Sequence, residues 1–499
     1  MKSIVTLIAA GSLLAALAAA QSPHYTVTDI GTLPGGTFSQ AAYVNNNGFV
    51  AGVSTVKDGT QHAALWYEGL QGDIGIPGLG GPNSGMFGVN KIGQAVGQAE
   101  SSEKDPNNEN FCGYGTGLKC LPFLWQNGVV TPLPTLGGNN GTIGQINNRG
   151  EVAGVAENST RDPQCPSGVG VNGLGPQVLD YEAVIWGPGP GEIRELSPLP
   201  GDTVGYAFWI NDNGQAVGMS GSCVNTQLPP LAAGAHAVLW ENGSVTDLGN
   251  LGGTANPAIS GVGNVAFSIN NRSQVVGTSA LAGNKTHHAF LWTWETGMRD
   301  LGTLPGDSVS AGLAINNRGE VVGASVDSNG NPRPWLWKNG VMTDVNTLIP
   351  ANSPLQLLIA FGINDGGEIA GFGVTGSGDI HGYLATPSDE SSTSVTTTNA
   401  TNAVVTPLTL TTGQSAVVLD GSGSTSASGS LQYLYVVVSG GLKPALLQTP
   451  NDPKATVDFV NGPGLYMVQL MVTDAIGDTA KSPVIMLNYQ PSGATSAAK

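Results

Sequence analysis

Four histidines could, by residue type, supply the ligands of a metal ion. They stand at equivalent points of a repeated unit, each opening a short apolar run that resembles a third strand: His62, His236, His288 and His381. Third strands of different units lie roughly two strand spacings of ~4.8 Å out from the inner strands, so these side chains cannot meet at one ion. We therefore predict no metal site and interpret each histidine as a hydrogen-bonding residue at a strand start.

Six carboxylates could do acid–base chemistry because they stand in long loops, where functional residues concentrate. They are Glu100, Glu103, Asp105, Glu109, Asp162 and Asp180. A glycoside hydrolase needs two such groups facing each other. None of the six lies in a recognisable motif, and the sequence contains no GxSxG, HExxH or CxxC. The residues therefore predict no catalytic site and no cofactor.

All four cysteines also stand in these loops. Cys112 and Cys120 share one loop, whereas Cys165 and Cys223 lie in the third and fourth repeated units. Four cysteines allow three pairings, and an even count in an exported chain indicates disulfides rather than thiols. We predict a local Cys112–Cys120 bridge and a Cys165–Cys223 bridge between neighbouring units.

The elements that must position these residues are repeats of one unit, clearest between Asp300 and Trp337. Each unit contains an Asn-x-x-Gly turn, typical of a type I turn whose fourth residue is left-handed and closes a β-hairpin. The glycines of this turn are Gly48, Gly93, Gly150, Gly214, Gly319 and Gly367. In the fifth of the seven units, Ser273 takes the fourth position and must adopt positive φ at some cost or change the turn.

Each unit supplies four short strands separated by turn signals, which is typical of one propeller blade. The last unit stops after its third strand, Gly382–Ala385, and the segment Tyr25–Gly31 matches a fourth strand. Closure of the ring by that segment would remove open strand edges. We therefore predict an all-β fold in which residues 24–387 form a seven-bladed β-propeller closed by the N-terminal strand.

These units resemble the HAF family of extracellular repeats, which is named for a motif present here as His288-Ala289-Phe290. The resemblance covers residues from about 25 to 387 and rests on DLGTL, INNRG, VVG and HAFLW in one order. It implies a secreted, repeat-built protein. The family supplies no catalytic residues to transfer to this chain.

The N-terminal 20 residues have the pattern of a secretory signal peptide: Lys2, an apolar run from Ile4 to Leu17, and three alanines before Gln21. No later stretch is apolar and long enough to span a bilayer. The net charge of −17 comes from scattered acids, which argues against nucleic acid as a partner. We expect a secreted or periplasmic protein.

The composition changes after the repeats. Residues 388–402 are rich in Ser, Thr and Asn and are interpreted as a linker. Residues 403–490 resemble a PKD domain, with Ser415–Ser424 as its second strand and turn and Gly464–Asp478 as its late hairpin. The resemblance implies a small Ig-like β-sandwich. Residues 491–499 are interpreted as a disordered tail.

The longest loops, 98–120, 157–181 and 219–235, fall on one face of the predicted propeller, opposite the short Asn-x-x-Gly turns. We therefore expect a non-enzymatic protein that binds a glycan or an extracellular protein through the long-loop face. One alternative is a secreted carbohydrate-active enzyme, a glycoside hydrolase or lyase, with acids in the central funnel. Another is a structural spacer in an envelope layer.

Overall fold

The computed structural model describes residues 24–67, 70–73, 79–126, 129–165, 176–223, 235–253, 263–388, 403–406, 409–412, 414–426, 429–437, 446–459, 464–475, 479–482 and 485–489. The predicted signal peptide, residues 389–402 of the predicted linker and the predicted tail lie outside these ranges. Within them the regular structure is β-strand apart from one 3-10 helix, Val345–Thr347. No helix in these ranges is long and apolar enough to cross a membrane.

Seven four-stranded antiparallel sheets account for residues 24–388. Sheet 1 has β2 (Ser39–Val44), β3 (Val50–Thr55), β4 (Gln61–Tyr67) and β5 (Leu70–Asp73). Sheet 2 has β6 (Gly80–Val89), β7 (Ala95–Lys104), β8 (Leu118–Gln126) and β9 (Val129–Pro132). Sheet 3 has β10 (Gly137–Ile146), β11 (Val152–Arg161), β12 (Leu179–Trp186) and β13 (Ile193–Leu196).

The remaining four sheets follow the same order of strands. Sheet 4 has β14 (Val204–Ile210), β15 (Ala216–Gly221), β16 (His236–Glu241) and β17 (Ser244–Asp247). Sheet 5 has β18 (Val265–Ile269), β19 (Val275–Ala280), β20 (His287–Thr293) and β21 (Gly297–Gly302). Sheet 6 has β22 (Asp307–Ile315), β23 (Val321–Asp327), β24 (Pro332–Lys338) and β25 (Val341–Asp344). Sheet 7 has β26 (Leu355–Ile363), β27 (Ile369–Thr375), β28 (Ile380–Ser388) and β1 (His24–Asp29).

Repetition of one four-stranded sheet confirms the predicted all-β fold and the β-propeller architecture. The outer strand of sheet 7 is β1, whose residues His24 to Asp29 pair with Ser388 to Tyr383 of β28. The N-terminal strand therefore lies beside the end of the repeats, and the backbone N–H of Tyr25 also donates to the carbonyl of Leu348.

Close packing within a sheet explains the glycine of the recurrent Val-x-Gly or Val-Val-Gly sequence. A Cβ on Gly323 would lie 1.9 Å from the carbonyl oxygen of Ala311 and 2.8 Å from the Trp335 ring. The third-strand tryptophan therefore covers a surface that only glycine can provide. Trp335, which pairs with Gly323, and Trp186, which pairs with Val152, are buried between sheets, where aromatic side chains contribute much of the apolar area.

The C-terminal residues form two further sheets that share one core. One contains β29 (Thr409–Thr412), β31 (Leu431–Val437), β34 (Gly464–Asp474), β35 (Thr479–Lys481) and β36 (Ile485–Tyr489). The other contains β30 (Ala416–Asp420), β32 (Leu446–Gln448) and β33 (Lys454–Asp458). Leu419 and Val457 of the second sheet cluster with Tyr435, Leu470 and Leu487 of the first. These residues therefore build a small two-sheet sandwich.

Candidate binding site at the propeller axis

In every sheet of the propeller, the turn between the first and second strands begins with an asparagine, and this asparagine connects its own sheet to the next. The Oδ1 atom accepts from the backbone N–H groups two and four residues later, as Asn45 does from Asn47 and Phe49. The Nδ2 atom donates to the carbonyl oxygen of the equivalent asparagine in the following sheet at 2.9–3.1 Å. The cycle runs through Asn45, Asn90, Asn147, Asn211, Asn270, Asn316, Asn364 and back to Asn45.

A second ring surrounds the first, built from the residue that follows each of these asparagines. The backbone N–H of each donates to the side-chain oxygen of the next member, for example Asn148 to Asp212 at 2.8 Å. The members are Asn46, Lys91, Asn148, Asp212, Asn271, Asn317 and Asp365. Six of the seven links are present. They include the bonds from Asn317 to Asp365 and from Asp365 to Asn46, the second of which connects sheet 7 to sheet 1. The link from Asn46 to Lys91 cannot form because an ammonium group accepts no hydrogen bond.

Inside the two rings lies a cavity of about 850 Å³ on the propeller axis. Tyr43 of β2 and Trp209 of β14 line it and meet edge to face, with ring centroids 5.6 Å apart and planes at 71°. Their strands belong to sheets 1 and 4, and each strand has a bulge at this point, where the register shifts by one residue. The cavity thus has an aromatic floor beneath a polar rim, and its volume lies in the usual range of ligand sites.

Charge at the rim comes from Asp212, Asp365 and Lys91, with Arg318 close by. Burial acts to raise the pKa of Asp212, but hydrogen bonds from the side chain and backbone of Asn148 outweigh it and lower that pKa. Burial, together with the charges of Asp365 and Asp212, raises the pKa of Tyr43 above its usual range. The floor therefore carries a neutral phenol, and the rim carries carboxylates held by amide groups.

The acids of the long loops are largely withdrawn from solvent. Glu109 is fully buried and accepts from the backbone N–H groups of Val178 and Leu179, while Glu157, also fully buried, accepts from Asn140. The amide of Gln177 donates to both carboxylates, at 3.2 and 2.9 Å. Burial raises the pKa of Glu109, and burial followed by the charge of Glu109 raises that of Glu157. These groups join the loop of sheet 2 to sheet 3.

The other predicted acids do not form a facing pair. Glu100 and Asp105 are buried, and Asp162, also buried, accepts from the Thr203 hydroxyl at 3.1 Å. Glu103 is exposed and pairs with Lys119. Asp180 is half-buried, and burial raises its pKa. The structure therefore does not bring the six loop carboxylates together at the propeller axis.

The histidines make the strand-start hydrogen bonds expected of them. Nδ1 of His236 lies 3.0 Å from Asp247, that of His288 lies 3.0 Å from Asp300, and that of His381 lies 2.9 Å from Asp29. Each aspartate belongs to the outer strand of the same sheet. In the described part of the chain, one group of acids and cysteines has side-chain atoms close enough to hold a metal ion: Asp162, Cys165 and Cys223. The two cysteines form a disulfide with each other.

Both predicted disulfides are confirmed. Cys112 pairs with Cys120, with Cα atoms 5.3 Å apart, and Cys165 pairs with Cys223, with Cα atoms 4.9 Å apart. The Cys112 loop packs inward: Phe111 and Tyr114 cluster with Tyr206 of β14 and Val265 of β18. The described part of the sheet 2 loop is therefore bound to neighbouring sheets rather than held out as a free surface.

The turn residues have the conformations that the sequence requires. The six glycines have φ between 79° and 85°, and Ser273 has φ 58°. The tertiary structure adds a contact that the local pattern does not contain: a Cβ on Gly319 would lie 2.7 Å from the Arg272 guanidinium of the preceding sheet. For Ser273, the equivalent residue of the preceding sheet is Asn213 and not an arginine. The Ser273 hydroxyl donates to Gln215 at 2.8 Å.

Sequence reasoning missed the axial cavity because it treated the turn asparagines only as turn formers. A signal was present in the residue after each of them, which is Asn or Asp in six of the seven turns. A turn tolerates many residues at this second position, so the repeated amide or carboxylate indicated contacts beyond the turn. The meeting of Tyr43 with Trp209 has no comparable signal, since 166 positions separate them (209 − 43).

No family model matches this chain, and no curated protein matches it. Among solved structures, a lectin from Aleuria aurantia in complex with Fucα1-6GlcNAc is 11% identical, with 70% of this chain and 91% of that chain covered and a TM-score of 0.30. TolB from Acinetobacter baumannii is 11% identical, with 54% of this chain and 60% of that chain covered and a TM-score of 0.32. The PKD domain from the KIAA 1837 protein is 25% identical, with 19% and 92% covered and a TM-score of 0.16.

The chain thus spans less than two thirds of the TolB structure. Structural similarity at this level shows nothing about function, which has to be inferred from the geometry of this chain.

Proposed function

We propose that this protein is an exported, non-enzymatic glycan-binding protein, in which the seven sheets are the blades of one closed ring and the axial cavity is the binding site. The signal-peptide pattern and the two disulfides support export. The HAF-type repeats followed by a PKD-like, Ig-like sandwich support a place outside the cytoplasm. The long-loop face, favoured on the sequence, becomes the less suitable surface because most of its described acids and its aromatics Phe111 and Tyr114 are packed inward.

One observation carries the choice of ligand: Tyr43 and Trp209 form an aromatic floor beneath a rim of amides and carboxylates. A sugar ring has apolar C–H faces, which pack on aromatic rings, and an equator of hydroxyl groups, which hydrogen-bond to Asn and Asp. Ligand sites commonly combine an apolar lining with a few well-placed polar groups in this way. The buried, amide-bonded loop carboxylates support binding without hydrolysis, since a glycosidase requires two acids at the substrate.

The test is a glycan array probed with the full mature chain, followed by titration of the best ligand. Replacement of Trp209 by Ala should reduce binding by about tenfold or more, because stacked aromatic contacts commonly dominate such sites. Because Trp209 also packs against the apolar clusters of neighbouring sheets, Tyr43→Phe serves as a second, milder variant that keeps the ring. Trp294→Ala is the matched control: Trp294 is 56% exposed and meets Trp292 edge to face, away from the axis. Equal binding by wild type, Trp209→Ala and Trp294→Ala would overturn the assignment of the site.

A further inference from the structure

The sandwich lies against the face of the propeller that carries the axial cavity. Leu434, Val436 and Met471 are each less than a tenth exposed, and they cluster with Phe49 of sheet 1 and Val89 of sheet 2. A Cβ on Gly93, in the turn of sheet 2, would lie 3.9 Å from Leu434 Cδ1. Phe49 is itself braced by Tyr67, with ring centroids 4.4 Å apart. The contact is an apolar patch made by two sheets of the propeller and one sheet of the sandwich.

This contact is off-centre with respect to the propeller axis. Among the described residues, only those of sheets 1 and 2 join the apolar cluster from the propeller side. Between these two sheets the second ring is interrupted, because the Lys91 side chain offers no acceptor to the backbone N–H of Asn46. The sandwich therefore lies beside the gap between Asn46 and Lys91 in the second ring.

Residues of the sandwich line the same cavity as Tyr43 and Trp209. They are Gln432 and Tyr433 of β31, the anchoring Leu434, Asn451, and Thr473 of β34. Leu434 is 6% exposed and faces the propeller. Because side chains alternate along a strand, Gln432 shares the face of Leu434, whereas Tyr433 packs against the core of the sandwich. The wall thus presents the amide of Gln432 and the hydroxyl group of Thr473, its partner on the neighbouring strand, which are polar groups like those of the rim.

We infer that the sandwich supplies one wall of the binding site, so that a bound oligosaccharide contacts Gln432, Asn451 and Thr473 as well as the Tyr43–Trp209 floor. The inference rests on the proposed function and assigns to the C-terminal domain a direct part in it. Tyr43 and Trp209 meet across the channel and block passage along the axis, so the site takes a short oligosaccharide or the end of a chain rather than a threaded polymer. Sites between domains are common because two walls bury more of a ligand than one surface does.

The test uses the full mature chain and a panel of neutral tetrasaccharides built from β-linked glucose, β-linked N-acetylglucosamine or α-linked mannose, titrated by calorimetry. Gln432→Ala should weaken binding by about fivefold, the loss expected for one hydrogen bond of about 1 kcal/mol. Leu434→Asp, which places a charge in the apolar contact, should weaken binding by at least as much because it detaches the whole wall. Val418→Ala is the control, since Val418 is 56% exposed on the other sheet of the sandwich.

The outcomes separate the two proposals. If Trp209→Ala abolishes binding while Gln432→Ala and Leu434→Asp remain within twofold of wild type, the sandwich has no part in the site, although the axial site stands. If none of the tetrasaccharides binds the wild type and the glycan array is also blank, the proposed function fails and the wall assignment fails with it. Hydrogen exchange of the unliganded chain provides a separate readout: Leu434→Asp should speed exchange around Ile92 and Gly93, and unchanged exchange would show that the sandwich does not dock there.

Discussion

At the scale of single residues, the turn positions show how a local requirement and a distant contact select the same amino acid. Gly319 has φ 83°, which any residue with a Cβ adopts at a cost of about 1 kcal/mol or more. Its Cα also faces the Arg272 guanidinium of the previous sheet. Ser273 has Asn213 as its neighbour in place of an arginine and adopts φ 58°. The one turn without glycine at this position therefore lies next to a sheet that has no arginine at the equivalent place.

Gly319→Ala should destabilise the protein more than Gly340→Ala. Both glycines have nearly the same φ, 83° and 85°, but a Cβ on Gly340 would have no atom within 4 Å. The shared conformational cost is about 1 kcal/mol, and the extra cost at Gly319 comes from displacing Arg272. Equilibrium unfolding in denaturant measures both. Arg272→Asn, which copies the neighbour of Ser273, should reduce the difference, and a difference that persists in the double variant would contradict this explanation.

Glu182 should make stability depend on pH. Its side chain is 7% exposed, and burial, followed by the charges of Asp180 and Glu195, raises its pKa to about 9. A raised carboxyl pKa favours folding while the group keeps its proton, so the contribution is complete below about pH 4.5 and is lost as the pH rises towards 9. Glu182→Gln should be more stable than the parent at pH 8, by on the order of 1 kcal/mol, and equal to it near pH 4.

Thermal unfolding at pH 4, 6 and 8 tests this expectation. The exposed Glu295 provides the control, and Glu295→Gln should shift the melting temperature equally at all three values. A constant difference between Glu182→Gln and the parent from pH 4 to pH 8 would show that Glu182 does not titrate as described.

At the scale of elements, the propeller contains a sheet whose outer strand comes from a distant part of the chain. In sheet 7, β1 contributes six residues to a sheet whose other strands lie more than 300 positions later. Tyr25 and Val27 are buried within the core of that sheet, and Asp29 pairs with His381. The Cys165–Cys223 bridge makes a comparable connection between sheets 3 and 4.

Removal of residues 24–30 should lower the melting temperature of the whole propeller. The deletion exposes the edge of β28 and removes the buried Tyr25 and Val27 side chains, whose burial is worth about 1.5–3 kcal/mol for a side chain of this kind. Calorimetry of the purified protein measures the change. A synthetic peptide of residues 24–30 should restore part of the loss when it is added in excess. An unchanged melting temperature would mean that the sheets do not depend on this strand.

At the scale of the whole molecule, the two asparagine rings join all seven sheets around the axis. The inner ring closes on itself through the bond from Asn364 to Asn45, which are 319 positions apart. Each bond is worth only about 1 kcal/mol net, but every sheet both donates and accepts, so the loss of one sheet leaves two buried groups unpaired. The same rings form the rim of the axial cavity, which links closure of the fold to the proposed site.

Asn45→Asp tests this ring without disturbing the turn. The aspartate retains an oxygen for the N–H groups of Asn47 and Phe49, but it cannot donate to the Asn90 carbonyl and places a negative charge against it. The expected loss is about 1–3 kcal/mol in the free energy of unfolding. Asn329→Asp is the control because Asn329 lies in an exposed turn and uses its backbone N–H. If the two variants unfold at the same denaturant concentration, the ring contributes nothing to stability.

The sequence by itself determined the features that recur at short range. Alternating apolar residues, turn asparagines and turn glycines specify hairpins within a few residues of one another. The incomplete last unit and the matching segment at Tyr25 indicated which strand would pair with β28. Cysteine placement, with two in one loop and one in each of the next two units, was enough to predict both disulfides.

Only the tertiary structure decided what faces the axis. Tyr43 and Trp209 belong to units that match each other in pattern, and the equivalent positions of the other units hold Gly88, Gln145, Ser268, Ala314 and Gly362. Nothing in the repeat indicates that the two aromatic side chains meet. The burial of Glu109 and Glu157 depends on Gln177, which approaches from a different loop. The contact of Leu434 with sheets 1 and 2 depends on where the chain returns after the propeller is complete. Side-chain environments of this kind arise from contacts between distant segments, and residue spacing along the chain does not encode them directly.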